Sequence, residues 1–157
     1  MGDEGIKALS EVIDDETGPQ CNLKKLGVRC CELSDKGAVM LIGLLQNLSS
    51  FHHLSLAGND LNSCSFWGLM PIFKMGLLSL DLANCNLGDH GMLKISTHLE
   101  KCRLNKLHMT QNNISAKGAN TLSTALKSEY CHIKHLKINK NPLKDEGLFK
   151  ILVALGE

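Results

Sequence analysis

The sequence predicts an α/β solenoid: a horseshoe arc with parallel β-strands on the concave face, α-helices on the convex face and about five and a half repeated units. Three observations predict it. Residues 23–33, 51–61, 77–87, 104–114 and 133–143 can be laid over one another almost without gaps, each reading apolar-x-x-apolar-x-apolar-x-x-(Cys/Asn)-x-apolar. Their starts lie 28, 26, 27 and 29 residues apart, a period that holds one strand and one helix. Four of the five are then followed by a glycine and apolar residues at helical spacing, as in Gly37-Leu41-Leu44-Leu45, Gly91-Ile95-Leu99, Gly118-Leu122-Ala125-Leu126 and Gly147-Ile151-Leu155.

The strand of each unit follows from period-two alternation. In the fourth unit Leu107 and Met109 stand two apart and share one face, which is the core; Lys106, His108 and Thr110 then point away from it. Asn112 ends the strand at a sharp inward turn, where an amide can satisfy backbone groups of neighbouring turns. Asn59 and Asn141 take the same slot in the second and fifth units, and Cys31 and Cys85 take it in the first and third.

The helices follow with their own signals. Ser34, Ser115, Asp89 and Asp145 stand just before or at the helix starts and are expected as N-caps. The second unit departs from the pattern: Ser65 replaces the glycine, and Pro71 interrupts the apolar run 66–70, so a short, late or kinked helix is expected there.

Residues 1–157 read as a single domain in which 1–22 form a helical half-unit (Gly5, Leu9, Val12, Ile13) without its strand, and repeats begin near 23, 51, 77, 104 and 133. The sequence ends at Glu157, two residues past Leu155, the expected last core position of its helix, with no polar capping unit beyond, so it looks like a piece of a longer array.

Bulk composition removes several classes. No apolar run approaches the ~18 residues that a membrane span needs. The acidic Met1-Gly-Asp-Glu start has no basic segment leading into an apolar core, as a secretory signal would. Gly2 is not set for myristoylation, because Ile6 stands where that motif takes Ser or Thr. Seven cysteines include no Cys-x-x-Cys; Cys21, Cys102 and Cys131 share one register, and Cys31 and Cys85 another. Cysteines placed by register act as small core residues in a reducing compartment, so a cytoplasmic or nuclear setting is expected rather than a disulfide framework, and neither a metal nor a cofactor. Cys131-His132 and His52-His53 lack metal-ligand spacing, and the sequons at Asn47 and Asn113 read as chance. Net charge is +1, but residues 1–100 carry seven Lys/Arg against twelve Asp/Glu, and residues 101–157 carry ten against four.

Taken together, Leu-x-x-Leu-x-Leu-x-x-(Asn/Cys)-x-Leu followed by Gly37, Gly91, Gly118 or Gly147 four residues before the next apolar anchor resembles the ribonuclease-inhibitor subclass of leucine-rich repeats over essentially the whole chain. That subclass occurs in ribonuclease inhibitor, the C-terminal arrays of NOD-like receptors, the Ran GTPase-activating protein, tropomodulin-type actin regulators and tonsoku-like repair scaffolds. The resemblance implies a curved, non-enzymatic recognition surface inside cells. The irregular period and mixed Cys/Asn slot look more like a NOD-like receptor of innate immunity, or a scaffold.

No phosphate loop, Gly-x-Ser-x-Gly or His-Glu-x-x-His occurs, and an open concavity is not the closed cleft that catalysis favours, so no enzyme is expected. His53, His108 and His135 lie on the strand face at repeated register, which a polar surface ladder explains without acid–base chemistry. The outward strand positions are lopsided: Lys25, Arg29, His53, Lys106, His108, Gln111, His135, Lys137 and Lys140 against one acid, Asp81. Such a face favours an acidic protein partner, though lysines also serve solubility alone. It carries no aromatic anchors, so affinity should be modest and salt-sensitive. Electrostatic nucleic-acid binding through residues 101–157 and a spacer role are the alternatives. On the helices, Val39, Trp67, Leu93 and Phe149 share the position two after the glycine slot, either packing helix on helix or forming a convex contact patch. Self-association through the solenoid ends is a further expectation.

Overall fold

The computed structural model describes residues 2–12, 21–61 and 66–156, the side chains of residues 12, 35 and 66–69 excepted. Its elements run α1 (Gly2–Val12), β1 (Lys25–Gly27), α2 (Asp35–Leu45), β2 (His53–Ser55), a 3₁₀ helix (Phe66–Lys74), β3 (Ser79–Asp81), α3 (Gly88–Leu99), β4 (Lys106–His108), α4 (Ala116–Leu126), β5 (His135–Lys137) and α5 (Lys144–Gly156). The strands form one sheet in the order β1-β2-β3-β4-β5, every pair parallel. This is the expected α/β solenoid.

Register is set by one leucine per unit. Leu26, Leu54, Leu80, Leu107 and Leu136 are directly opposed from strand to strand, and two residues on, Val28, Leu56, Leu82 and Met109 form a second buried row. A one-residue slip would turn every leucine outward, so the core face locks the alignment. Each fully buried Leu contributes about 1.5–3 kcal/mol, which makes these rows the main stabilising term.

The inward turn is held as the slot predicted, but across the joint between units. Asn112 accepts on Oδ1 from the N–H groups of Cys85 (3.0 Å) and Leu87 (3.3 Å), and donates from Nδ2 to the Leu82 carbonyl (2.7 Å). Asn59 does the same for Cys31, Leu33 and Val28, and Asn141 for Asn112, Ile114 and Met109. Each asparagine thus serves the unit before its own. Just ahead of the slot the backbone turns left-handed, at Cys30, Gly58, Asn84, Gln111 and Lys140.

The helix starts follow a two-part device. Ser34 and Ser115 cap α2 and α4 as expected, accepting from Lys36 and Gly37 and from Lys117 respectively. Asp89 and Asp145 are not caps of their own helices: both lie inside the first turn, and Asp89 reaches forward to the next unit. Its carboxylate accepts from Ser115 N (2.7 Å), Ser115 Oγ (2.5 Å) and Gly118 N (3.1 Å). Asp3 holds Ser34 in the same way, and the two Ser34 bonds keep its carboxyl below the usual range. Gly118 is glycine for that reason, since a Cβ there would stand 2.5 Å from the Asp89 carboxylate.

In the second unit Pro71 sits inside the 3₁₀ helix, where its missing N–H and ring exclude an α-helical ladder; Ser65 lies outside the described residues. Cys85 and Cys102 are buried and Cys21, Cys31 and Cys131 half-buried, all without disulfides. Leu155, expected in the core, is exposed, whereas Leu99 at the same register of α3 is buried.

Candidate protein-interaction face

Because side chains alternate along a strand, the residues flanking each core leucine share the opposite face. Parallel pairing aligns them in two rows: Lys25, His53, Ser79, Lys106 and His135, then Gly27, Ser55, Asp81, His108 and Lys137. Lys25, Lys106, His135 and Lys137 are exposed; His53, Asp81 and His108 are half-buried. Arg29, Gln111 and Lys140 continue the face into the turns, all three exposed and the last two at left-handed positions. Of the residues expected from the sequence, Lys25, His53, Asp81, Lys106, His108, His135 and Lys137 lie in these two rows, and Arg29, Gln111 and Lys140 lie in the turns that follow.

The middle of this face is built of small side chains. Gly27, Ser55 and Ser79 floor a shallow hollow of about 340 Å³, with Lys25, His53, Asp81 and His108 around it. Asp81 is already engaged: its carboxylate accepts from Ser55 Oγ (3.0 Å) and from the Ala83 N–H (3.1 Å). Among the described residues Asp81 is the one acid on this face and it is held down, while Lys25, Lys106 and Lys137 make no hydrogen bond or ion pair there. Alternation along β2 puts Ser55 on this face, but its role is not legible from the sequence, because its partner stands 26 residues on.

Charges several rungs apart act on one another here. Burial lowers the pKa of His53, and Lys25, His52 and Lys106 lower it further. Burial also lowers that of His108; Asp81 opposes the shift, while Lys137, Lys106 and Arg29 reinforce it. Both imidazoles are neutral near pH 7 and poised to gain a proton when a negative group arrives. No group of His, Cys, Asp and Glu suited to a metal occurs among the described residues.

On the helical side, Val39, Leu93 and Phe149 are partly exposed; Leu93 lines a groove with Lys117 and Thr121 of α4, and Phe149 another with Asn120 and Thr124, while the side chain of Trp67 lies outside the described residues. Exposed Asn120 stands at their register between Leu93 and Phe149 and interrupts the stripe. Between α3 and α4 runs a polar groove of about 470 Å³ lined by residues such as Ser96, Thr97, Asn120 and Thr124. No helix among the described residues is long and apolar enough to cross a membrane.

An array of parallel strands with one polar, open face defines a repeat solenoid. The family described as Leucine Rich repeat matches residues 20–41, 77–96, 101–123 and 131–152, and the chain belongs to it. It is 28% identical to ribonuclease inhibitor of Mus musculus over all of this chain and 41% of that protein. It is 32% identical to NACHT, LRR and PYD domains-containing protein 3 of Mus musculus over all of this chain and 15% of that protein. The chain therefore spans less than half the length of these relatives. The tropomodulin C-terminal domain of Caenorhabditis elegans shares the fold at a TM-score of 0.73 and 14% identity, over 96% of this chain and 91% of that one.

Proposed function

We propose that the strand face docks an acidic segment of a partner protein, and that the chain acts as a ligand-sensing or scaffold module like the repeat regions of its NACHT, LRR and PYD relatives. The observation that carries this is the charge inventory: Lys25, Lys106 and Lys137 in the strand rows, exposed Arg29 and Lys140 in the turns that follow, and Asp81 tied to Ser55 and Ala83. Like charges crowded on one face repel until a counter-charge arrives, which gives specificity and a fast encounter more than high affinity. The free cysteines, register-placed and unbridged, suit a reducing compartment such as the cytoplasm.

The test is a titration of a fluorescent polyglutamate peptide against the wild type and the Lys106→Glu/Lys137→Glu double variant. Binding should be measurable at low salt, weaken as salt rises and fall at least tenfold in the variant, with Tm nearly unchanged. Equal affinity in the two proteins would remove the strand face from the account.

A second reading rests on the ten Lys/Arg against four acids in residues 101–157: electrostatic binding of nucleic acid. It predicts a steep log-linear loss with salt shared by unrelated sequences, and no binding at low salt ends it. A pure spacer would capture neither ligand.

A further inference from the structure

The middle of the strand face is built differently from the rest of it. β2, β3 and β4 are each paired on both sides, so their surface is complete within the array. Across them the first row runs His53, Ser79, Lys106 and the second Ser55, Asp81, His108. With strands about 4.8 Å apart, His53 and Lys106 flank Ser79 directly, and His108 stands diagonally from it. The central side chains are short. Gly27, Ser55 and Ser79 floor the hollow of about 340 Å³, and a Cβ built on Gly27 would meet nothing within 4 Å.

Its polar groups are of two kinds. Ser55 and Asp81 satisfy one another, and Asp81 takes a second bond from the Ala83 N–H. The Ser79 hydroxyl, the His53 and His108 rings and the Lys25 and Lys106 amines make no hydrogen bond or ion pair among the described residues. His53, Ser79 and His108 are half-buried, with the two exposed lysines beside them. Water satisfies an exposed amine well, but half-buried donors side by side gain most from one acceptor group that reaches them together.

We infer that this hollow seats the phosphate of a phosphorylated serine within the acidic partner segment, its oxygens taken by His53, Ser79 and His108 inside and by Lys106 and Lys25 at the rim. This seat rests on the acidic-segment proposal above and narrows it. A carboxylate brings two oxygens and one charge, whereas a phosphoserine brings three strong acceptor oxygens and a charge of about −1.5 to −2 at pH 7, so it answers more donors at one point. Burial, reinforced by neighbouring lysines, keeps both imidazoles neutral beforehand, and a dianion reverses that balance further than a carboxylate does. Asp81 limits the occupant. A single compact anion fits between His53 and Lys106, but a regular run of phosphates would bring one against Asp81 in the second row. The strand rows hold no Phe, Tyr or Trp on which a base could stack, which sets the seat apart from a nucleic-acid groove.

Titration with two fluorescent glutamate-rich peptides of one length tests this. One carries a central phosphoserine-alanine pair, and the other has two glutamates at those positions to match its charge. Each is measured against the wild type, Ser79→Leu and Gly27→Leu, variants that fill the hollow without altering charge and are checked for folding by circular dichroism. The wild type should bind the phosphoserine peptide about tenfold more tightly than the charge-matched one. Both variants should erase that difference while binding the charge-matched peptide as the wild type does. Equal affinity of the wild type for the two peptides overturns the inference and leaves the acidic-segment proposal standing. A preference that survives in both variants also overturns it, since the phosphate is then held elsewhere. So does a single-stranded oligonucleotide of equal charge that binds as tightly as the phosphoserine peptide. A charge-matched peptide that fails to bind at all removes the broader proposal, and loss of the phosphoserine peptide in Gly27→Leu then still supports the seat. Should Ser79→Leu fail to fold, Gly27→Leu, changed at an exposed position, decides alone.

Discussion

Asn112 and Cys85 occupy the same slot one unit apart and hold their joints in different ways. Asn112 offers an acceptor and a donor together, and it closes bonds to Cys85 N, Leu87 N, Leu82 O and Thr110 O. Cys85 is as deeply buried, but its thiol makes longer bonds, to the carbonyls of Leu56 (3.4 Å) and Ala83 (3.5 Å), beside the backbone hydrogen bonds it takes from Asn59 and Gly58. At that joint the Leu61 N–H turns instead to the backbone oxygens of Cys85 (3.1 Å) and Asn59 (3.0 Å). The slot therefore requires a small side chain that fits, and an amide where the main chain cannot satisfy itself. Satisfaction of buried backbone groups decides which residue a unit can tolerate.

That comparison can be broken at several levels. The largest effect is expected from Asn112→Ala, which orphans buried groups on both sides of a joint and should cost about 3 kcal/mol. By thermal melting this is a fall in Tm on the order of 6–12 °C. Asp89→Ala removes the bracket between α3 and α4 and should cost about 1 kcal/mol, as loss of a helix cap does. Cys85→Asn should sharpen the contrast in the other direction, raising stability by about 1 kcal/mol in urea unfolding as the amide restores the missing bonds. Charge reversal at Lys106 and Lys137 should change stability by less than about 0.5 kcal/mol, since both heads are solvated.

Protonation separates the two regions as well. Burial pushes the Cys85 thiol up to about 12, against backbone hydrogen bonds from Asn59 and Gly58 that lower it. The folded state then keeps a proton that the unfolded chain releases, so this contribution is full below pH 9 and fades as pH rises toward 12. Native Cys85 should accordingly resist alkylation while exposed Cys30 reacts, which mass spectrometry of the labelled protein reads directly. The strand face has the reverse sign. His53 and His108 have lowered pKa values, so as pH falls below their ordinary 6.5 the unfolded chain takes up protons first and stability declines. Over the same interval affinity for polyglutamate should rise, because the bound acid favours the imidazolium. Affinity that is flat from pH 7 to about 5.5 would separate the histidines from the site.

The fold was legible because its signals are local. Leu107 beside Lys106 and His108 shows a strand and its two faces, and Gly118-Leu122-Ala125 shows a helix and its close approach. What failed to show was chemistry whose two halves lie a full period apart. Asp89 looks like a cap for α3 until Ser115 is seen 26 residues on. Leu155 looks like core because Leu99 is core at its register, yet it is exposed. Val39, Leu93 and Phe149 share a position that Asn120 takes in the unit between the last two, so the break in the stripe is legible in the sequence itself. The strand-face residues were found because alternation alone assigns them a side. That Asp81 is restrained by Ser55 and the histidines are held neutral by burial and neighbouring lysines depends on distances across units.

The central claim is that the strand face, and not the helical one, meets the acidic partner. Amide chemical-shift mapping with unlabelled polyglutamate tests it most directly on the full chain. The account predicts the largest shifts at residues 25–29, 53–55, 79–81, 106–111 and 135–140, with α2, α3 and α4 unmoved. Shifts concentrated on the helices, or spread evenly over the molecule, would contradict it.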